Sequence, residues 1–402
     1  MKNTPHRILL LDVIRGIAIL GILLMNIQSF GLISSAYTNP TANGSLNSMN
    51  QTIWILIHLL SDQKFINIFS ILFGAGIILL WEKTELKEIS FPKLMRQRMF
   101  WLLVIGMIHA YFIWYGDILV TYSIVGLIAM LFRKLTITKL KFWGLLFYLI
   151  PVLLYLLMGW SVQYWPQESI TDAANQWQPG SGLNTQEVEA MRGTYLEQMK
   201  VRATLALSLQ VGLFFIYSLW KCLGLMLIGM ALYKSGFFFG NLNRKKTLLL
   251  IAFGLTLGSA LALSGIYQNF GHNWSFEYSM FYGSAFNYSG SLLMSLAYLG
   301  IIVVLVKIVR KAKPLNWFSN VGRTALSNYL LQSIICTTLF YGHGFGLFNR
   351  MDLWQLYLLV PAIWLFQIMM TNWWLIYHKQ GPVEWLWRKL AYRSSTSKSE
   401  KS

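Results

Sequence analysis

The residues best suited to acid–base chemistry are His109 and Asp117, which lie at the end of one apolar stretch and the start of the next. Histidine titrates near neutral pH, and a neighbouring carboxylate can orient it. Gly116 before Asp117 predicts a tight turn between them. We interpret His109 as a candidate general base with Asp117 as its orienting partner. The alternative is that Asp117 only caps the helix that follows, where a carboxylate is favourable.

A second set of polar residues lies in the first apolar stretch, LLLDVIRGIAILGILLMNIQSFG. Asp12 and Arg15 are three positions apart, so a helix places them on one face, one turn from each other. They form either a structural ion pair that orients the helix or a cationic site for a phosphate-bearing donor, because guanidinium groups suit phosphate. Asn26 lies about 21 Å further along the same helix. One helix therefore offers an ionic pair at one end and an amide towards the other.

Further candidates for binding a substrate are spread along the chain. Arg98 and Arg323 are additional cationic groups for phosphate, or belong to a general excess of basic residues on one side. Asn328 shares a helical face with Arg323, and it either contacts a substrate or forms hydrogen bonds between helices. Near the end of the chain, Glu384 and Arg388 have the spacing of a helix-stabilising pair.

The composition determines the class of protein that must position these residues. The 402 residues are 55% hydrophobic and only 12% charged, whereas soluble domains carry about 25% charged residues. Repeated apolar runs predict an all-α, polytopic membrane protein. Cys222 and Cys336 lie inside such runs, so neither a disulfide framework nor a metal site is expected. Ten runs are long enough to be predicted spans: 9–31, 64–81, 97–114, 117–132, 141–160, 205–233, 247–266, 288–307, 322–341 and 353–377.

The basic residues alternate between the two sides of these runs. By this division, 27 of the 33 Lys and Arg residues lie on one side, and nine of the 15 acidic residues lie on the other. The positive-inside rule then predicts cytoplasmic termini. The net charge of +18 is explained by this topology and by contact with membrane lipids, so no nucleic-acid partner is expected. We predict one transmembrane domain, 1–393, with outer-face segments 32–63, 161–204 and 267–287. A disordered polar tail, 394–402, is expected to follow.

Five stretches carry a resemblance to a known family: LDVIRGIAILGILLMNIQSFG, IFSILFGAG, GMIHAYFIWYGDIL, NVGRTALSNYLLQS and GPVEWLWRK. In this order, they resemble the YeiB family of bacterial multi-spanning membrane proteins, and the resemblance covers nearly the whole chain. It implies a helical fold in the bacterial cytoplasmic membrane. The family has no assigned function, so the resemblance implies no activity.

A more distant resemblance starts from Asp12, Arg15, Gly16 and Asn26. This order is similar to a pattern in the transmembrane acyltransferase superfamily, which includes heparan-α-glucosaminide N-acetyltransferase and the membrane sugar O-acyltransferases. It implies acyl transfer from cytoplasmic acyl-CoA to an acceptor at the outer face, with Asn26 polarising the acyl carbonyl or holding the acceptor. The lysosomal enzyme has a catalytic histidine shortly after the Asn, where this chain has Tyr37. The pattern therefore departs from the superfamily at that residue.

Three functions are compatible with these residues. In an acyltransferase, Arg15 with Arg96, Arg98 or Arg323 would bind the phosphates of acyl-CoA, which acts as a co-substrate, with no permanently bound cofactor. His109 would act as the base on a small-molecule or glycan acceptor, with Asp117 behind it. In a transporter for a small organic solute, the buried charges would form a proton or substrate pathway, although no matching pair of Gly/Pro-interrupted runs is present. In a non-catalytic membrane partner protein, buried ionisable groups would be unexpectedly costly.

Overall fold

The computed structural model describes residues 9–44, 46–240, 243–309 and 313–396, and these residues form helices and no strand. The all-α class is therefore as predicted. The α-helices in chain order are α1 (Leu9–Gly31), α2 (Ser48–Leu60), α3 (Lys64–Leu86), α4 (Phe91–Ile108), α5 (Leu119–Ala129), α6 (Ile137–Ser161), α7 (Gln167–Trp177), α8 (Gly182–Arg192), α9 (Tyr195–Leu207), α10 (Leu219–Lys234), α11 (Arg244–Gly271), α12 (Phe276–Tyr278), α13 (Ser284–Ile308), α14 (Lys313–Arg323), α15 (Ala325–Phe340), α16 (Leu353–Tyr377) and α17 (Pro382–Thr396).

Seven helical stretches in the described residues are long and apolar enough to cross a membrane. Helices of this kind satisfy their backbone hydrogen bonds internally, which is what a bilayer requires. The chain is therefore a helical membrane protein, as its composition predicts. The seven stretches are Leu9–Gly31, Ser48–Leu86, Ile137–Tyr164, Phe214–Lys234, Arg244–Gly271, Phe276–Ile308 and Leu353–Tyr377.

Three of the ten predicted runs form helices that fall short of these criteria. The helix α4 carries basic residues in its first two turns, whereas α5 has 11 residues and α15 has 16. The predicted run 205–233 is also not one continuous α-helix. Two π-helical turns, Ser208–Gly212 and Phe214–Ser218, separate α9 from α10. The first of these turns contains polar residues and a glycine, which weaken a regular α-helix at that point.

The first helix lies at the centre of the bundle, with most of its residues buried. It packs against α3, α14, α15 and α16. At its crossing with α14, a Cβ added to Gly16 would overlap the Phe318 carbonyl, and one added to Gly322 would overlap the Asp12 carbonyl. This close backbone approach fixes the turn of α1 that carries the predicted ionic pair.

Replacing Gly322 with alanine is expected to destabilise the protein by about 1–3 kcal/mol, because the new methyl group overlaps the backbone of α1. Thermal unfolding of the protein in lipid nanodiscs would measure the change. Gly76→Ala is the matched control, since a Cβ at that helical position meets no described atom within 4 Å apart from those of its chain neighbours and its own helix backbone. Equal melting temperatures for the two variants would contradict the close crossing.

The last helix, α17, lies against α4 and α15. The Trp387 indole donates to the Arg98 carbonyl at 2.8 Å, and the Arg98 guanidinium stacks over the Trp387 ring at 4.1 Å. This contact attaches the C-terminal helix to the bundle. The helix ends at Thr396, so it includes the first residues of the predicted polar tail, and residues 397–402 lie outside the described part of the chain.

The predicted ion pair between Glu384 and Arg388 is wrong. The Glu384 carboxylate instead accepts hydrogen bonds from the backbone N–H groups of Leu326 (2.7 Å) and Ser327 (3.1 Å) and from the Ser327 hydroxyl. Arg388 donates to Gln380 at 3.0 Å. Because the first N–H groups of a helix have no partner within it, Glu384 acts as a cap for α15 supplied by another helix.

Candidate functional site

The structure brings His109 and Asp117 together and adds a third residue, Ser333. His109 Nδ1 lies 2.8 Å from Asp117 Oδ1, and His109 Nε2 lies 2.8 Å from Ser333 Oγ. The side chains of His109 and Asp117 are fully buried, and Ser333 is 1% exposed. We call these three residues the His109 centre. Their contact agrees with the predicted proximity of His109 and Asp117, while the catalytic role of the pair remains a prediction.

The local backbone explains how the His109 centre is assembled. His109 begins a π-helical turn, His109–Ile113, at the end of α4, and such turns often occur at functional sites. Asp117 lies in the short connection before α5, and its Oδ2 accepts a hydrogen bond from Val120 N at 2.7 Å. Asp117 therefore caps α5 with one oxygen and orients His109 with the other, so both of the predicted roles are compatible with its geometry.

The direction of these hydrogen bonds follows when Asp117 is ionised and His109 is neutral. An ionised carboxylate can only accept, so His109 Nδ1 carries the proton that is donated to Asp117. His109 Nε2 is then an acceptor, and Ser333 Oγ donates its proton to it. An aspartate, a neutral histidine and a hydroxyl in this order have the arrangement that activates a hydroxyl group for nucleophilic attack.

Aromatic residues form the walls of the His109 centre. The Tyr329 ring centroid lies 4.9 Å from that of His109, and the Trp114 centroid lies 6.3 Å away. Trp114 also stacks on Phe30 of α1, with centroids 4.0 Å apart. The indole Nε1 of Trp114 is buried and has no hydrogen-bond partner within the described residues. It is therefore a free donor beside the centre.

The candidate residues of α1 lie along one side of the helix. Asn26 is half-buried, and the described residues provide no hydrogen bond to its side chain. It lies one turn from Phe30, which contacts Trp114, so it is on the side of α1 that approaches the His109 centre. Arg15 pairs with Asp12 at 3.0 Å, as predicted, and its side chain remains 28% exposed. Arg15 and Asn26 are separated by about three helical turns, which places them on the same face.

The other predicted binding residues already have partners in the bundle. Arg98 stacks on Trp387. Arg323 donates to Asn320 Oδ1 and to the Lys379 carbonyl, and it lines an open groove of about 600 Å³ between α14 and α16. The structure therefore does not bring these two arginines to the His109 centre.

Asn328 belongs to a buried network that joins α15 to α16. Its amide donates to Thr324 and to Thr371 Oγ1, and its side-chain oxygen accepts from Gln367 Nε2 at 3.1 Å. Gln367 in turn accepts from Gln332 at 3.0 Å. These contacts match the interhelical alternative that the sequence leaves open for Asn328, because polar groups inside a membrane bundle are satisfied between helices.

A second buried polar cluster, which the sequence analysis missed, lies where α2 meets α3. Asp62 accepts hydrogen bonds from the Tyr37 hydroxyl (2.9 Å) and the Asn287 amide (2.8 Å), and it lies 3.1 Å from His58 Nδ1. The buried Lys64 donates to the His58 carbonyl and to Asn287 Oδ1. Tyr37, where the acyltransferase pattern has a histidine, thus contacts a carboxylate that is paired with a histidine from α2.

Lys221 extends this cluster from α10. Its Nζ donates to Gln63 Oε1 (2.9 Å) and to the Tyr217 hydroxyl (2.8 Å). Within the described residues, neither Lys64 nor Lys221 has a carboxylate oxygen within 4.0 Å of its ammonium group. Two buried ammonium groups beside the single carboxylate of Asp62 make this region suited to an anionic group.

The three predicted outer-face segments contact one another. Glu187 of α8 accepts from both the backbone N–H and the hydroxyl of Ser34, which joins 161–204 to 32–63. The Trp177 indole donates to the Trp274 carbonyl at 2.6 Å, which joins 161–204 to 267–287. These segments therefore form a connected layer. In the described part of the chain, no three or more His, Cys, Asp and Glu residues are grouped so that they could hold a metal ion.

The attachment of this layer is expected to depend on pH through Glu187. Burial raises the pKa of the Glu187 carboxyl above its ordinary value, so the folded protein holds this proton more tightly than the unfolded chain does. The contribution of Glu187 to stability is therefore largest at low pH and declines as pH rises through the ordinary Glu pKa towards the raised one. From about pH 4 to about pH 7, the melting temperature of the wild type should fall relative to that of Glu187→Gln. A constant difference would contradict this.

The comparisons with known proteins identify relatives along nearly the whole chain. A family model described as "Protein of unknown function (DUF418)" matches residues 232–394. "Uncharacterized protein YeiB" of Escherichia coli is 33% identical over 397 residues, covering 96% of this chain and 96% of that protein. "Uncharacterized protein YxaH" of Bacillus subtilis is 30% identical over 403 residues, covering 97% of this chain and 96% of that protein. No solved structure matches the chain at a significant level.

Proposed function

This chain belongs to the YeiB family, and from that premise we propose that it is a membrane-bound acyltransferase with His109 as its general base. The observation that carries the proposal is the hydrogen-bonded order Asp117, His109, Ser333 between the helices. A buried histidine held by a carboxylate on one side and a hydroxyl on the other is suited to move a proton during acyl transfer. The proposed reaction moves an acyl group from cytoplasmic acyl-CoA to an acceptor at the outer face.

The donor would enter at the end of α1 that carries Asp12 and Arg15. The Arg15 guanidinium is partly exposed and can bind a phosphate oxygen while it remains paired with Asp12. Arg98 and Arg323 would add positive charge near the donor, as the sequence predicts, although each is already in contact with the bundle. Acyl-CoA acts in this proposal as a co-substrate that leaves after each reaction.

The acceptor would bind under the layer formed by the outer-face segments, as a small molecule or a glycan. Asn26 lies between the donor end of α1 and this layer, and its amide has no hydrogen bond in the described residues. An unpaired amide on the side of α1 that approaches the His109 centre is suited to polarise the acyl carbonyl. This assignment agrees with the role that the acyltransferase pattern implies for Asn26.

We propose ten membrane crossings with both termini in the cytoplasm of a bacterium. The proposal adds α4, α5 and α15 to the seven long apolar stretches. These shorter helices pack against longer ones and can cross where neighbours or a thinner bilayer cover their ends. The distribution of basic residues supports this orientation, since 27 of the 33 Lys and Arg residues would face the cytoplasm.

Transport of a small organic anion is the second candidate function. It is supported by the buried cluster of Asp62, Lys64 and Lys221, because ionisable residues inside a membrane bundle commonly line substrate or proton pathways. In this function, the His109 centre would serve as a structural or proton-relay element. The two candidates differ in their need for CoA.

The first test is the melting temperature of the purified protein in nanodiscs with acetyl-CoA, longer acyl-CoAs and free CoA. A ligand that binds only the native state adds about 2.7 kcal/mol of stability at a hundred times its dissociation constant. Acyl-CoA is expected to raise the melting temperature, and Arg15→Ala is expected to remove this rise. Arg350→Ala, which removes an exposed charge outside the donor end, is the control and should retain it.

The acyltransferase proposal would be contradicted if millimolar acyl-CoA did not shift the melting temperature of protein that is shown to be folded. Counterflow of a labelled organic anion in proteoliposomes without CoA, lost in Lys221→Met, would then favour transport. A shift that survives in Arg15→Ala would contradict the proposed position of the donor.

A further inference from the structure

We infer that Ser333 is the nucleophile of this enzyme and that the acyl group passes through an ester on Ser333 Oγ. The inference rests on the proposed acyl-transfer function and deepens it. Ser333 Oγ lies 2.8 Å from the acceptor nitrogen of His109, whose other nitrogen is held by Asp117. This is the geometry in which a neutral serine hydroxyl loses its proton as it attacks a carbonyl carbon.

The hydroxyl of Ser333 differs from that of Ser295, another buried serine within a helix. A helical serine often donates to the carbonyl four residues earlier, as Ser295 does at 2.6 Å. Ser333 lies 3.3 Å from the equivalent carbonyl, that of Tyr329, and closer to His109. The imidazole is therefore the nearer of the two acceptors available to the Ser333 proton.

A free donor lies beside His109. The Trp114 side chain is 2% exposed and its Nε1 is unpaired within the described residues, while its ring lies next to that of His109. A buried N–H group without a partner is costly unless a ligand satisfies it. An acyl oxygen that becomes negative during attack by Ser333 would accept this hydrogen bond.

The two steps balance without any other reagent. In the first, Ser333 Oγ bonds to the acyl carbon, the carbon–sulfur bond of acyl-CoA breaks, and the serine proton passes through His109 Nε2 to the leaving thiolate. In the second, an acceptor hydroxyl attacks the ester carbon. Its proton passes through His109 back to Ser333 Oγ, and the acyl group leaves on the acceptor. Asp117 remains ionised throughout.

The position of Ser333 explains why a covalent intermediate is useful here. Ser333 lies eight residues after the start of α15, about 12 Å along the helix, and α15 continues beyond it to Phe340. The acyl group would therefore be held between the two ends of the bundle. CoA can leave towards the cytoplasm before the acceptor arrives from the outer face, so the two substrates need not meet.

Two probes test this inference on the whole protein in nanodiscs. The first is a set of radiolabelled acyl-CoAs, followed by denaturation and mass spectrometry of the peptide that contains Ser333. The second is a fluorophosphonate, which reacts with activated serines and needs no CoA. Both labels are expected on Ser333 at near-stoichiometric levels. They should be lost in Ser333→Ala and His109→Ala, whereas Ser333→Cys should carry the acyl group as a thioester.

The control is Ser123→Ala, because Ser123 is also buried but its hydroxyl bonds, among the described residues, only to the Val120 carbonyl. It should retain both labels. If the protein releases CoA from acyl-CoA but neither label reaches Ser333, and Ser333→Ala retains the rate, the nucleophile is wrong while acyl transfer stands. If the fluorophosphonate labels Ser333 but no acyl-CoA reacts, the donor and therefore the proposed function are wrong. The absence of every reaction in folded protein would overturn both.

Discussion

Replacing Asp117 with asparagine is expected to lower the rate of acyl transfer by about a thousandfold or more while the protein remains folded. Asparagine is a good helix cap, so it can still accept the hydrogen bond from Val120 N that Asp117 accepts at 2.7 Å. Its amide group, however, would donate to His109 Nδ1 and so move the proton of the imidazole to Nε2. The imidazole could then no longer accept the proton of Ser333. Release of CoA from acyl-CoA would measure the rate.

This substitution separates the two roles of Asp117. Asp117→Ala removes both the cap and the orienting group, and we expect it to lose activity together with about 1 kcal/mol of stability. The expected signature in Asp117→Asn is an unchanged melting temperature with a large loss of rate. If Asp117→Asn has the wild-type rate while Asp117→Ala is unstable, Asp117 is only a helix cap.

Replacing Glu384 with alanine is expected to lower the free energy of unfolding by about 3–5 kcal/mol, the largest stability effect that we predict. The substitution removes a carboxylate that accepts from Leu326 N, Ser327 N and the Ser327 hydroxyl. Two N–H groups at the start of α15 would be left without their acceptor. Thermal unfolding and proteolysis in nanodiscs would measure the effect.

Arg388→Ala is the matched control for Glu384→Ala. Arg388 lies on the same helix and donates to Gln380 at an exposed position, so a change within about 0.5 kcal/mol is expected. If both alanine variants lose a similar, small amount of stability, the two residues act as an ordinary surface pair. That result would contradict the capping of α15 by α17. Because α15 carries Ser333, loss of this cap should also lower acyl transfer.

The parts of the fold that could be predicted are those determined by long apolar sequences. The predicted runs 9–31 and 353–377 coincide with α1 and α16, since a bilayer-length apolar segment has few alternatives to a helix. The contact of His109 with Asp117 could also be predicted, because a single short turn joins them. The local sequence therefore predicts two of the three residues of the His109 centre.

The third residue of the centre depends on the packing of distant helices. Ser333 is 224 residues from His109, and nothing in its own neighbourhood distinguishes it from the serines that bond only to their own helix. Glu384 has a partner of the usual charge at the usual spacing, yet its carboxylate is used by α15. In both residues, a tertiary contact outweighs the local pattern, and only the arrangement of the helices reveals it.

The cluster around Asp62 was overlooked for a related reason. His58, Asp62 and Lys64 lie within a few positions of one another, but the apolar stretch around His58 is too short to span a membrane alone. The structure joins α2 to α3 in one apolar stretch, Ser48–Leu86, and covers these charges with Asn287 and Tyr37. Their burial follows from the contact with α13, which the sequence of this segment does not specify.

The most direct test of the central claim is transfer of a radiolabelled acyl group from acyl-CoA to the cell envelope. Membranes that contain the wild-type protein, His109→Ala or Ser123→Ala would be supplied with acetyl-, octanoyl- or palmitoyl-CoA labelled in the acyl group. The account predicts labelled envelope material with the wild type and Ser123→Ala, and a loss of about a hundredfold or more with His109→Ala. Equal labelling with His109→Ala that is shown to be folded would contradict the role of His109 and the acyltransferase function built on it.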